Sequence, residues 1–150
     1  MKALVYTGVE ELIYRDEKDP VETSGESILK VHASGICGSD MHAYHGKDER
    51  RIAPLIIGHE VSGVIQNGKF QGKNAVLNPL ITCGKCEYCT SGREHLCPHR
   101  VLLGMNRPYE RQGVFAELVS SPNQNIYEVP DHLNLCLLYT SPSPRDTPQS

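Results

Sequence analysis

The stretch from Cys83 to Cys97 constrains this chain most, because it sets four of the six cysteines in a C-x2-C-x2-C-x7-C spacing. Zinc takes four soft donors in a tetrahedron, at Zn–S distances of about 2.3 Å, and short loops with closely spaced thiols supply them. Gly84 lies between the first two cysteines, where the chain must turn tightly for both sulfurs to face one point. Gly92 eases the return toward Cys97, and Lys85, Arg93 and Arg100 are near enough in sequence to offset part of the charge of four thiolates. The alternatives are a disulfide cluster or four unrelated buried thiols. The N-terminus, Met1 to Tyr6, has neither the apolar run nor the cleavage site of a secretory signal, which weighs against disulfides. Cys83, Cys86, Cys89 and Cys97 are therefore expected to hold one structural zinc. Four thiolates close the coordination sphere, so such a site holds a loop and does no chemistry.

At 150 residues the chain has the length of one domain with its own core. Lys and Arg (15) are outnumbered by Asp and Glu (18) and scattered, so no basic surface for nucleic acid is expected. No apolar run approaches the ~18 residues of a membrane span. Reduced thiols without an export signal point to the cytoplasm.

Thirteen glycines, ten prolines and short β-branched runs predict a mainly β domain with many turns. Strands are expected at Lys2–Tyr6, Ser27–Ala33, Val61–Gln66, Ala75–Leu77, Val114–Val119 and Ile126–Val129. In Ser27–Ala33 the residues Leu29, Val31 and Ala33 alternate with Ile28, Lys30 and His32, the pattern of a half-buried strand. Gly35–Tyr44 breaks the alternation and predicts a turn with a short helical piece, while Asn67-Gly68 signals a type I′ hairpin turn. From Leu135 the pattern stops, with three prolines among the last nine residues, and the string resembles the translation of a sequencing adapter. Residues 1–134 are expected to form the domain, and residues 135–150, Cys136 included, a disordered, non-native tail.

A second donor set is more dispersed. Cys37-Gly38-Ser39-Asp40-Met41-His42 and Gly58-His59-Glu60 are each weak signals, since a lone cysteine or histidine is more often packed or solvated than ligating. Together Cys37, His59 and Glu60 offer a thiolate, an imidazole and a carboxylate. Three such donors leave a zinc one open position, from which it can polarise an alcohol oxygen.

These motifs in this order (Cys-Gly-Ser-Asp-x-His, Gly-His-Glu, then the four-cysteine loop) resemble the zinc-dependent medium-chain alcohol and polyol dehydrogenases. The resemblance covers Met1 to about His132 and implies a GroES-like, partly open β-barrel with short helices and a zinc-binding loop. It assigns Cys37, His59 and Glu60 to a catalytic zinc and the four clustered cysteines to a structural one, two zinc ions per chain. It further implies that Ser39 hydrogen-bonds the substrate hydroxyl, that His42 passes the proton to solvent, and that Asp40 orients His59 from behind. Ser39 and His42 are three apart, so a helical turn would put both on one face. Gly38 stands where simple alcohol dehydrogenases carry a basic residue, which leans the resemblance toward polyols. The tyrosine that follows the relay histidine in sorbitol dehydrogenases is here Ala43.

The implied activity is NAD(P)-linked oxidation of a secondary hydroxyl of a sugar alcohol, sugar acid or related polyol. A threonine-type amino-alcohol dehydrogenase, or a zinc-stabilised binding module without catalysis, is the alternative. No Gly-x-Gly-x-x-Gly follows a strand in this sequence, so the α/β Rossmann domain of the family and its NAD or NADP contacts are expected to lie outside it. The chain then reads as a catalytic part cut short and inactive alone. Its partner class is a small-molecule substrate, not nucleic acid or membrane, and the resemblance implies a full-length homo-oligomer.

Overall fold

The computed structural model describes residues 1–137. Every strand pair in it is antiparallel. Strand β1 (Lys2–Gly8) lies between β2 (Glu11–Asp16) and β4 (Leu55–Ile56) in a three-stranded sheet. The larger sheet has β3 (Glu26–Gly35) flanked by β9 (Leu118–Pro122) and β5 (Glu60–Ile65), followed outward by β6 (Asn74–Leu77) and β10 (Ile126–Glu128). A two-stranded ribbon of β7 (Leu80–Ile81) and β8 (Val101–Leu102) closes the base of the cysteine loop. Two short helices, α1 (Gly38–Tyr44) and α2 (Glu87–Thr90), complete the mainly β architecture, and the sheets curl into a partly open barrel as expected.

Alternation along β3 explains the core. Leu29 is wholly buried and faces Ile65 on one side and Val119 on the other, while Lys30 and His32 point to solvent. Around Leu29 pack Val61, Ile65, Ala75, Leu77, Leu103, Val114, Val119 and Ile126. Two smaller clusters, Ala3–Val5–Ile56 and Tyr6–Leu55–Ile57, sit under the smaller sheet, and the Phe115 ring packs against all three groups. One aromatic side chain thus ties the two sheets together.

The β3–β5 ladder slips register between Val31 and Ala33, a bulge that bends and twists the strand locally. Gly63 lies opposite this point, and a Cβ there would come within 2.1 Å of the Lys30 carbonyl oxygen. Beyond the bulge the ladder runs on to its last pair, Gly35 with Glu60. That pair sets the segment leading to Cys37 beside His59 and Glu60.

Four local expectations differ. Strand β2 has no apolar alternation, since all of it but Leu12 is exposed, and only its pairing with β1 makes it a strand. Asn67-Gly68 does not form a type I′ turn, because Asn67 is extended (φ −148) and its side-chain oxygen accepts the Ile28 N–H at 2.7 Å. A 3-10 turn over Gly68–Phe70 makes the connection instead, with Gly68 and Gly72 both at positive φ. The strand expected at Val114–Val119 is Leu118–Pro122. The residues before it bond elsewhere: Val114 and Phe115 donate to Gly58 and Ile57, and the Phe115 carbonyl accepts from Leu4. Finally, the chain stays in contact with the sheet past Asn134: a 3-10 turn at Leu135–Leu137 lies against it, and Ser62 Oγ donates to the Leu135 carbonyl at 2.6 Å. The rest of the expected tail, residues 138–150, lies outside the described residues.

Candidate metal centres

The loop between β7 and β8 carries the four clustered cysteines, and their sulfurs lie within 4.8 Å of one another. Neighbouring sulfurs are 3.4 Å (Cys86–Cys89), 3.7 Å (Cys97–Cys83) and 3.9 Å (Cys83–Cys89) apart. A tetrahedron with Zn–S distances of about 2.3 Å has edges of about 3.8 Å, so the thiols stand where a zinc would need them. A disulfide requires about 2.05 Å, and all four are free thiols. Helix α2 starts at Cys86 and places Cys89 one turn on, while a 3-10 turn at Glu94–Leu96 delivers Cys97 to the buried side. Gly84 and Gly92 both take positive φ, as their positions in the loop require.

Protons distribute unevenly over this group when no metal is bound. The Lys85 N–H, ahead of other backbone and sulfur contacts, lowers the Cys83 thiol to about 6. The Cys89 N–H draws Cys86 downward, but burial and the neighbouring sulfurs outweigh it and push that thiol up to about 11. The basic side chains contribute less than their positions promised: Arg93 stacks over Tyr88 and pairs with Glu87, and Arg100 donates to the Cys97 carbonyl.

The second centre joins three elements. Cys37 precedes the first turn of α1 in extended conformation, His59 lies just before β5 and Glu60 is its first residue. Their donor atoms also lie within 4.8 Å of one another. Gly58 sets the entry to His59 at φ +91, and a Cβ there would fall 2.5 Å from the Phe115 ring. Gly104 and Gly113 approach the same backbone from behind, where side chains would strike the Gly58 and Ile57 carbonyls at 2.7 and 2.4 Å. His59 is thereby held by backbone packing.

Asp40 faces this centre from inside α1. One carboxylate oxygen accepts the Cys37 N–H at 2.9 Å, and the other lies 3.5 Å from His59 Nδ1. Neither Asp40 Oδ1 nor His59 Nδ1 has a hydrogen-bond partner among the described residues, so the pair is a close approach and not a formed hydrogen bond. The Asp40 carboxylate raises the His59 imidazole against the opposing effect of burial. The Ser39 N–H, then its hydroxyl, lowers the Cys37 thiol. A thiol shifted toward its thiolate, and an imidazole with a carboxylate behind its Nδ1, form a donor set that suits zinc. Ser39 and the exposed His42 share the wall of an open depression of about 500 Å³ with Lys47, Asp48, Glu49 and Arg50.

His45, His95, His99 and His132 are all exposed and belong to neither centre. Sequence reasoning missed Arg51, which is buried behind Ser39 and Asp40. It also missed the glycines at 104 and 113 and the part played by Phe115, whose contacts come from distant segments.

Among known families, the alcohol dehydrogenase GroES-like domain matches residues 23–131. The chain is similar to the L-threonine 3-dehydrogenase of Anaeromyxobacter sp. (strain K), 36% identical over 89% of this chain and 41% of that protein. It is 32% identical to the D-arabitol-phosphate dehydrogenase of Enterococcus avium, over 85% of this chain and 37% of that one. Among solved structures, rspB of Escherichia coli CFT073, described as a short chain alcohol dehydrogenase and complexed with cofactor NADH, superposes with a TM-score of 0.80. It shares 30% identity and covers 90% of this chain and 40% of its own. The chain spans about two fifths of the length of the relatives it matches.

Proposed function

The chain belongs to the alcohol dehydrogenase GroES-like domain family, and on that premise we propose that it is the N-terminal catalytic part of a zinc-dependent, NAD(P)-linked dehydrogenase. The substrate class we assign is a secondary hydroxyl of a sugar alcohol, sugar acid or related polyol. One observation carries this reading: Cys37, His59 and Glu60 converge beside a helix that presents Ser39 and His42 to one depression. A purely structural module has no use for an open donor set next to a proton path.

Cys37, His59 and Glu60 would hold a zinc ion, whose Lewis acidity would ease loss of the proton from an alcohol oxygen. Asp40 keeps the proton of His59 on Nδ1 and leaves Nε2 as the donor. Ser39 Oγ would accept the substrate's hydroxyl proton while releasing its own, and His42, exposed at the rim, would pass that proton to water. Cys83, Cys86, Cys89 and Cys97 hold the second zinc and stiffen their loop. NAD or NADP contacts are not assigned to these residues: no glycine turn leading into a helix N-terminus occurs among those described, and turnover by the chain alone is not expected. The cytoplasm, a homo-oligomeric full-length protein, and the absence of nucleic-acid or membrane partners belong to the same proposal. No helix among the described residues is long and apolar enough to cross a membrane.

A threonine-type amino alcohol is the second reading, favoured by the similarity to L-threonine 3-dehydrogenases over most of this chain. The test joins residues 1–134 to a cofactor domain and compares polyols with L-threonine. Ser39→Ala should then cut kcat by about 10²- to 10⁴-fold with zinc content unchanged. Normal turnover would sink the relay assignment. Failure to bind any nicotinamide cofactor would favour a binding module.

A further inference from the structure

Arg51 is an arginine with no exposed side-chain surface, set behind the open centre. Its Nε donates to the Gly104 carbonyl at 2.9 Å, and Nη1 donates to the Ser39 carbonyl at 3.0 Å and to Asp48 Oδ2 at 2.7 Å. Nη2 approaches Ser39 Oγ at 3.5 Å and Asp40 Oδ1 at 3.6 Å. A buried guanidinium is costly unless its donors are met and its charge is balanced. Here two buried carboxylates balance it, and every nitrogen faces an acceptor belonging to the centre or to its packing. Gly104 abuts the Gly58 backbone that delivers His59. Asp40 faces His59 Nδ1, and Ser39 is the relay hydroxyl.

We infer that Arg51 is a positioning residue, its planar fork locking α1 to the Gly104 turn so that Asp40 stays opposite His59 and the Ser39 hydroxyl stays beside Cys37. The inference rests on the metal and relay roles proposed above. Its physical basis is the fork itself: N–H donors in one plane bond two carbonyls and the Asp48 carboxylate while the guanidinium charge faces Asp40, which a lysine ammonium cannot do. Nη2 approaches Ser39 Oγ from within the fold at 3.5 Å.

Cobalt(II) binding to the 150-residue chain tests this without any turnover. The four-thiolate site serves as an internal control, its spectrum assigned from a Cys37→Ser chain. Arg51→Gln should weaken cobalt at the Cys37–His59–Glu60 site about tenfold or more, with the four-thiolate site unchanged. Arg51→Lys should recover part of the loss, since it restores charge without the fork. Wild-type-like affinity in both variants would overturn the inference while leaving the metal assignment intact. If Arg51→Gln loses both sites together through misfolding, Arg51→Lys decides. Should that variant also lose both in parallel, Arg51 merely holds the fold and the inference fails. A wild-type chain that binds cobalt only at the four thiolates would defeat the metal assignment itself, and the role of Arg51 with it.

Discussion

The two donor clusters of this chain are built in opposite ways. The four thiols sit in one loop between β7 and β8, the first three partly buried and Cys97 buried. The Cys37–His59–Glu60 group is assembled from the end of β3, the start of α1 and the start of β5, with buried Asp40 and Arg51 behind it. A loop of this kind has little apolar surface to order it, so zinc binding there is expected to add directly to its folding free energy. The open group is shaped by the β3–β5 ladder and by glycines packed under Phe115, so its donors converge before any ion arrives. The closed group gathers neighbours along one loop, whereas the open one gathers donors from segments distant in the chain.

Removing a ligand from the closed centre should break the contrast most visibly. Cys97→Ser, at the one buried thiol, should lower zinc content by about one equivalent and the melting temperature by about 10 °C or more. Unchanged metal content would show that these thiols hold no ion. Next in size is Gly58→Ala. It forces a Cβ into the Phe115 ring at φ +91, and should cost about 2–4 kcal/mol in chemical denaturation. That variant should also weaken metal at the open centre more than at the closed one, and an equal effect on both would dissolve the distinction.

Asp40→Asn sharpens the comparison with less damage. Loss of the carboxylate behind His59 should weaken metal at the open centre about ten- to a hundredfold in a cobalt titration, with the four-thiolate site untouched. The smallest effect is expected far from both centres. Ending the chain at Asn134 removes the acceptor for Ser62 Oγ and should cost about 0.5–1.5 kcal/mol. Metal content should not change, and no loss of stability at all would show that the contact with Leu135 contributes nothing.

The closed centre was legible in the sequence because spacing along a short loop is nearly spacing in space. The strands around Leu29 and the short helix after Gly35 were legible for a similar reason, since alternation and its interruption are local signals. Asn67-Gly68 misled because that dipeptide favours a hairpin turn only while the asparagine side chain is free, and here a neighbouring strand claims it. Strand β2 carried no signal because an exposed edge strand needs no apolar face.

What the sequence determined by itself, then, is chemistry tied to neighbours in the chain: a four-cysteine loop spaced for a metal, a β domain, and the identities of Cys37, Ser39, His42, His59 and Glu60 as candidates through their resemblance to a family. Tertiary structure alone decided which of those candidates meet. It also separated Arg50 from Arg51: the two are adjacent, equally charged and alike beside Asp48, yet the first is 59% exposed and the second wholly buried. No local pattern distinguishes them. The difference lies in Gly104 and Ser39, whose carbonyls offer the second arginine acceptors inside the fold, and those acceptors exist only once distant segments have packed.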